Sequence, residues 1–163
     1  MKPDKWWERI IKNISASKPA SYLLAQFLRP LDIWFMKISR GRGTLTQLLT
    51  GLDVVCVDTI GARTKRIRPV MLAGVRQGQA WLVAATNFGD QDHPAWYYNL
   101  VHFPEVDVRF MGEIRKFRAR LATGGEHERC WSMLVEGYRG FEAYRRRADS
   151  RVIPVFVLEP MQP

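Results

Sequence analysis

"VDVRFMGEIRKFRARL", Val106 to Leu121, reads as two strands and the turn between them. Val106, Val108 and Phe110 alternate with Asp107 and Arg109, the two-residue period of a strand with one dry face. Gly112 turns the chain. Arg115, Phe117, Ala119 and Leu121 then share one face, and Lys116, Arg118 and Arg120 share the other, wet one. The same pattern recurs upstream, where Arg68 to Val75 and Gln79 to Ala85 flank Arg76-Gln77-Gly78, a hairpin signal with Gly at the tight position. Asp53 to Thr59 is β-branched and apolar enough to be buried on both faces. Val152 to Leu158 reads as the last strand, with Pro154 expected at an edge or a bulge. About six strands, mostly hairpin-linked, predict a mainly β (α+β) chain: a small antiparallel β-barrel with helices around it.

Thr123 is a candidate N-cap for a helix from Gly125 to Tyr138, with Glu126 and Glu128 suited to its first turn, and a shorter helix follows over Phe141 to Ala148. Another helix starts at His93-Pro94, with His93 or Asp92 as its cap and Pro94 in its first position. Trp96 and Leu100 then share the face turned to the barrel. The first forty residues read as helical as well. Trp6, Trp7, Ile10, Ile11 and Ile14 fall on one face, and Lys5, Glu8, Arg9 and Lys12 lie opposite. Such a basic helix suits peripheral contact with an anionic membrane, and it suits packing on the barrel or on a partner subunit equally. Composition changes at Gly41-Arg42-Gly43, so the expected organisation is a helical extension over 1–42 and a barrel domain over 43–163.

With 163 residues and 47% hydrophobic content, the chain has material for one real core. Its formal charge of +9 points to an anionic partner. Cys56 and Cys130 sit among apolar neighbours and are expected as buried free thiols in a reducing compartment; their spacing does not resemble a zinc site. Apolar runs fall short of the roughly 18 residues that a membrane span needs, and no secretory pattern follows the N-terminus, so a cytoplasmic location is expected.

"GARTKRIRP", Gly61 to Pro69, gathers Arg63, Lys65, Arg66 and Arg68 around Thr64. Backbone N–H groups of a Gly-containing turn, a hydroxyl and several cations are what a phosphate or a carboxylate-rich tail requires, although a solvated basic turn has the same composition. Thr86 to Asp92 follows the third strand, where a barrel opens to a ligand. No Ser or Cys nucleophile stands at recognisable spacing from His93, and neither a Walker sequence nor a dinucleotide glycine fingerprint occurs. Catalysis by such a chain therefore requires a bound organic cofactor.

Three colinear segments carry a family resemblance: "GARTKRIRPVML", "WLVAATNFGDQDHPAWYYNLVHFPEVDV" and "YRGFEAYRRRADSRVIPVFVLEP". From about Val54 to Pro160 the chain resembles the deazaflavin-dependent nitroreductase family. The resemblance implies a split β-barrel of the flavin-reductase-like type that binds 8-hydroxy-5-deazaflavin (coenzyme F-420). It implies hydride transfer to a small electron-poor acceptor such as a quinone, a nitroaromatic or an activated enone. By the same resemblance Arg63, Thr64 and Arg68 match positions that carry the cofactor's anionic tail, and Met71 falls near its ring. Ala84, Ala85, Thr86 and Asn87 match the ring loop, and Trp96 the ring-flanking tryptophan. Tyr138 and Tyr144 match tyrosines of the substrate pocket and are the candidate catalytic hydroxyls. Split barrels of this type often pair as homodimers.

This chain departs from the family pattern at Ala62, at Lys65 (which replaces a second glycine), at Asn87 (where a lysine is frequent) and at Phe141 (where another tyrosine is usual). Those departures keep a second reading open, in which the barrel holds FMN, haem or a lipid-like ligand without turnover. Nucleic acid ranks last, because the basic residues are scattered over several elements and the aromatics cluster in one helix start.

Overall fold

The computed structural model describes residues 53–162. The N-terminal helices, the Gly41-Arg42-Gly43 boundary and the expected membrane or partner contact of Trp6 and Trp7 lie outside the described residues. Within them the chain forms β1 (Val54–Ile60), β2 (Ile67–Gln77), β3 (Ala80–Ala84), a 3-10 turn at Asn87–Gly89, α1 (Ala95–His102), β4 (Glu105–Phe110), β5 (Glu113–Leu121), α2 (Gly124–Gly137), α3 (Gly140–Ala148) and β6 (Val155–Pro160). The six strands close into an antiparallel barrel in the order β1-β2-β3-β6-β5-β4, as the alternation in the sequence predicts.

Turn chemistry sets the register at the closed end. Gln77 pairs with Ala80 across Gly78-Gln79, with Gly78 at φ +63°. Phe110 pairs with Glu113 across Met111-Gly112, both left-handed at φ +52° and +85°, the requirement of a two-residue turn whose twist matches its strands. β2 is longer than its neighbours. Residues Ile67 to Ala73 pair with β1, whereas the ladder to β3 ends at Gly74 opposite Val83. Among the described residues the other edge of β2, from Ile67 to Ala73, therefore has no strand beside it, which is the split in the barrel.

Two cores result. Inside the barrel, Val55, Val57, Trp81, Val83, Phe156 and Leu158 interdigitate with Val108 and Phe117. Outside, the alternate residues Leu82, Val155 and Val157 are covered by Leu134 and Trp131 of α2 and by Phe141 and Tyr144 of α3. Strands β3 and β6 are thus buried on both faces, which is why their runs are continuously apolar. Full burial of each large apolar side chain contributes about 1.5–3 kcal/mol.

Boundaries differ from expectation in two places, at the last strand and at the start of α1, and one expected cap makes no bond. The last strand begins at Val155, not Val152, because Pro154 lies just ahead of it and lends only its carbonyl, to the Ala85 N–H at 2.8 Å. Thr123 occupies the N-cap of α2, yet its side chain makes no capping bond. Pro94 is itself the N-cap of α1, so neither His93 nor Asp92 caps that helix and Pro94 is not in its first turn.

Phe156 is 1% exposed and touches both Trp96 and Tyr97 of α1, with ring centroids 5.9 and 5.8 Å away. Phe156→Ala is expected to lower stability by about 3–5 kcal/mol, read as a fall in the denaturant midpoint.

Candidate functional site

The loop from β1 to β2, the loop from β3 to α1, and α1 itself meet at the end of the barrel away from the two tight hairpins. In the first loop the Gly61 N–H donates to the Arg66 carbonyl at 2.9 Å and the Lys65 N–H donates to the Gly61 carbonyl at 2.8 Å. A Cβ on Gly61 would lie 2.5 Å from Thr64 Oγ1, so a larger residue there would displace the threonine hydroxyl from the turn. Lys65 stands where the family pattern has its second glycine, and it takes φ +56°. The turn is therefore kept at a backbone cost of about 1 kcal/mol. The Lys65 ammonium lies 4.3 Å over the Phe103 ring, a cation–π contact that offsets part of that cost.

Arg63, Thr64, Arg66 and Arg68 are exposed, and among the described residues none of the three arginines has a carboxylate partner. The barrel wall is different. There Arg109 pairs with Asp58, Arg118 with Glu105 at 2.6 Å, and Arg120 with both Glu126 at 2.7 Å and Glu159 at 2.9 Å. Positive charge is neutralised along the wall and left uncompensated at the loop. A guanidinium cluster without carboxylates attracts an anion.

Asn99 ties this loop to α1. Its side-chain carbonyl accepts the Ala62 N–H at 3.0 Å, and its amide donates at 3.0 Å to Thr59 Oγ1, which donates onward to the Arg68 carbonyl at 2.7 Å. Asn99 is 8% exposed and Thr59 is fully buried. Leu100, the next residue, points into the barrel core.

The second loop is pinned from behind. Asn87, Phe88 and Gly89 follow one another in left-handed conformation, at φ +46°, +56° and +81°. A Cβ on Gly89 would meet Arg147 Cβ at 2.6 Å and the Tyr144 carbonyl at 2.7 Å, so the loop packs directly on α3. Arg147 donates to the Phe88 carbonyl at 3.1 Å, and Asn87 Nδ2 closes the loop by donating to the Asp92 carbonyl at 3.0 Å. From beyond α3, Arg151 donates to the carbonyls of Ala85, Thr86 and Asp90.

The expected ligand-binding residues gather at this end of the barrel. Arg63, Thr64 and Arg68 project from the first loop and the start of β2. Met71, half-buried, lies on the stretch of β2 whose far edge is open. Ala84 and Ala85 are buried, while Thr86 and Asn87 are half-buried. Trp96 is half-buried against the barrel core beside Tyr97; Tyr98 is exposed.

Tyr138 and Tyr144 lie elsewhere, in the outer core between α2, α3 and the barrel, each 8% exposed. The Tyr144 ring lies beside that of Tyr138, centroids 6.4 Å apart, and burial first, then Tyr138, holds its phenol above the ordinary range. Its ring meets Phe88 edge-on at 6.1 Å and so supports the second loop from below.

Asn99, Arg147 and Arg151 escape the reading of the sequence. Asn99 carries a faint signal, a polar residue one position before Leu100 and one turn after Trp96 on the buried side of a helix. The arginines carry none, because their partners lie some sixty positions upstream.

A closed six-strand barrel with one strand edge left open, helices packed on its far wall and a cation loop at its mouth defines a split barrel of the flavin-reductase-like kind. Within that class, the chain belongs to the F420H(2)-dependent quinone reductase family, which it matches over residues 33–160. An F420H(2)-dependent quinone reductase of Mycobacterium tuberculosis (strain H37Rv) is 32% identical over 106 residues, spanning 63% of this chain and 70% of that protein. Among solved structures, an F420-H2 dependent reductase superposes with a TM-score of 0.61 at 33% identity, over 66% of this chain and 94% of its own. A domain-swapped dimer superposes with a TM-score of 0.64 at 29% identity, over 87% of this chain and all of its own. The haem storage protein HutZ of Vibrio cholerae, at 14% identity and a TM-score of 0.51, over 82% of this chain and 92% of its own, shares the fold alone. Family membership makes the chain an oxidoreductase and coenzyme F420 its cofactor.

Asn99→Leu removes an acceptor from the Ala62 N–H and a donor from Thr59 while keeping the branched side-chain shape. Two buried partners lost together are expected to lower stability by about 2–3 kcal/mol. Amide exchange in the 61–66 loop should rise with it, measured by mass spectrometry of the corresponding peptides.

Proposed function

We propose that this chain reduces quinones at the open end of the barrel, with the cofactor's anionic tail on the 61–68 loop and its ring against Met71, the Ala84–Asn87 loop and Trp96. The observation that carries this reading is the meeting of three features at one mouth: cations without carboxylate partners and an edge of β2 without a neighbouring strand, both among the described residues, and a loop tied to α3. The donor set fits the group. Guanidinium forks match the phosphate and carboxylates of the tail, and the tight turn at Gly61 brings backbone into the same cradle. An open strand edge beside a half-buried tryptophan suits a flat ring.

Reduced coenzyme F420, when bound, supplies the hydride that the acceptor receives. The chain's own part is orientation and exclusion of water. Trp96 offers an aromatic wall braced on Phe156, the Ala84–Asn87 loop fixes one rim of the mouth, and Arg63 and Arg68 hold the tail. Protons for the acceptor's oxygens come from solvent at the open mouth. The phenol of Tyr144 is buried beside Tyr138 and made less acidic by that burial, so in this reading the two tyrosines act by packing. The homodimer expected from the sequence is carried forward on the relative that is a domain-swapped dimer.

Two tests bear on this reading. Arg68→Ala is expected to weaken F420 binding by about tenfold and to flatten its dependence on salt, with an unchanged melting temperature. Equal affinity in fluorescence titrations of variant and wild type would make the loop only a solvated turn. Trp96→Ala is expected to lower kcat/KM for a soluble quinone by about a hundredfold, whereas Tyr144→Phe should stay within about threefold. Collapse of turnover in Tyr144→Phe with the fold intact would return that hydroxyl to the chemistry.

A further inference from the structure

Arg151 lies between α3 and β6 and sends its guanidinium across to the loop between β3 and α1. Nε donates to the Asp90 carbonyl at 2.8 Å, Nη2 to the Thr86 carbonyl at 2.7 Å, and Nη1 to the Ala85 carbonyl at 3.2 Å and to His93 Nδ1 at 3.0 Å. These acceptors lie on both arms of the loop, one leaving β3 and one entering α1. A single planar fork therefore sets the separation of the arms. Between them run Asn87, Phe88 and Gly89, all left-handed, a conformation that two non-glycine residues keep only when their surroundings impose it.

We propose that Arg151 is a positioning residue for the cofactor's ring loop, and that neutral His93 is the acceptor completing its hold, so that the loop is set while the imidazole is unprotonated and released when it is protonated. This rests on the reading of Ala84 to Asn87 as the rim of the cofactor site.

An arginine has donors and no acceptor, so the Nδ1 atom facing it must offer a lone pair, which leaves the ring proton on Nε2. Protonation at Nδ1 replaces an acceptor by a donor and sets two cations 3.0 Å apart. The groups facing His93 are Arg151 from the segment before β6, Asp92 of its own loop and two tyrosines of α1, while Asp90 acts on Arg151. Tyr97 is stacked on it at 4.3 Å and Tyr98 lies edge-on at 6.2 Å. Burial, then Arg151, push the imidazole below its ordinary value of 6.5, against a smaller opposing pull from Asp92. A depressed folded-state value means that the contribution is complete above the ordinary imidazole range and is lost as pH falls through the folded value. The loop is therefore set at neutral pH and loosens in acid, below the ordinary imidazole range.

The test compares wild type, His93→Asn and Arg151→Lys at pH 7.5 and 5.5. Asparagine places Oδ1 near the position of Nδ1 and does not titrate; lysine keeps the charge and cannot span both arms. Amide exchange over residues 86–90 is measured in the free protein and corrected for intrinsic rates. In parallel, coenzyme F420 is titrated by fluorescence. Wild type is expected to lose about tenfold in protection and a similar factor in affinity on acidification. His93→Asn should lose neither, and Arg151→Lys should be unprotected at both values. Groups of the ligand that titrate are common to all three proteins, so the difference between profiles isolates His93. Equal acid loss in wild type and His93→Asn, or full protection in Arg151→Lys, overturns the proposal. Should Arg151→Lys not fold, the comparison of wild type with His93→Asn still decides. A protein that shows the exchange pattern and never binds F420 keeps the clamp and refutes the cofactor reading instead.

Discussion

The buried side-chain amide of Asn99 joins three elements at once: the helix α1, the end of β1 and the 61–66 loop. A primary amide both accepts and donates, and here each half serves a different element: the carbonyl serves the 61–66 loop, and the NH2 group serves the hydroxyl at the end of β1. Aspartate would lose the donor, and an aliphatic residue would lose both functions. An unmade hydrogen bond in a buried setting is expensive, so the arrangement is nearly all-or-none. The position of α1, and with it Trp96, is thereby coupled to the position of the cations. If the clasp slips, Trp96 and the exposed arginines move together.

The two loops at the mouth are built on opposite principles. The cation loop is held at its base by Asn99 and by its own turn, and its arginines extend freely into solvent. The loop after β3 is held from behind by two arginine side chains, Arg147 and Arg151, and closed by its own Asn87. A flexible polyanion is well served by mobile cations that adapt to it, whereas a rigid ring demands a rim that does not move.

Alternation and turn residues carried the architecture. Val106 to Leu121 shows its inward and outward faces directly, and Gly78 and Gly112 announce turns because the backbone there is left-handed. The continuous apolar run of β6 blurred its start, since a strand buried on both faces loses the alternation that marks its first residue. The cation loop was legible because its chemistry is local in sequence. Arg151 and Asn99 were not, because what they do depends on partners brought near only by barrel closure. Lys65 shows a third case. The departure from glycine was visible, yet only the structure shows that the left-handed turn survives it, with the lysine's charge laid on Phe103.

The ladder between β2 and β3 stops at Gly74, and the consequence reaches beyond ligand access. Any strand edge that admits a flat guest also offers hydrogen-bonding groups to a passing strand, the usual opening for aggregation. This stretch of β2 begins Ile67-Arg68-Pro69: a charge that resists close approach of another basic chain, then a residue with no N–H to give. Strand addition is discouraged at an edge that the β3 ladder leaves open, so the gap is selective by backbone chemistry as well as by shape.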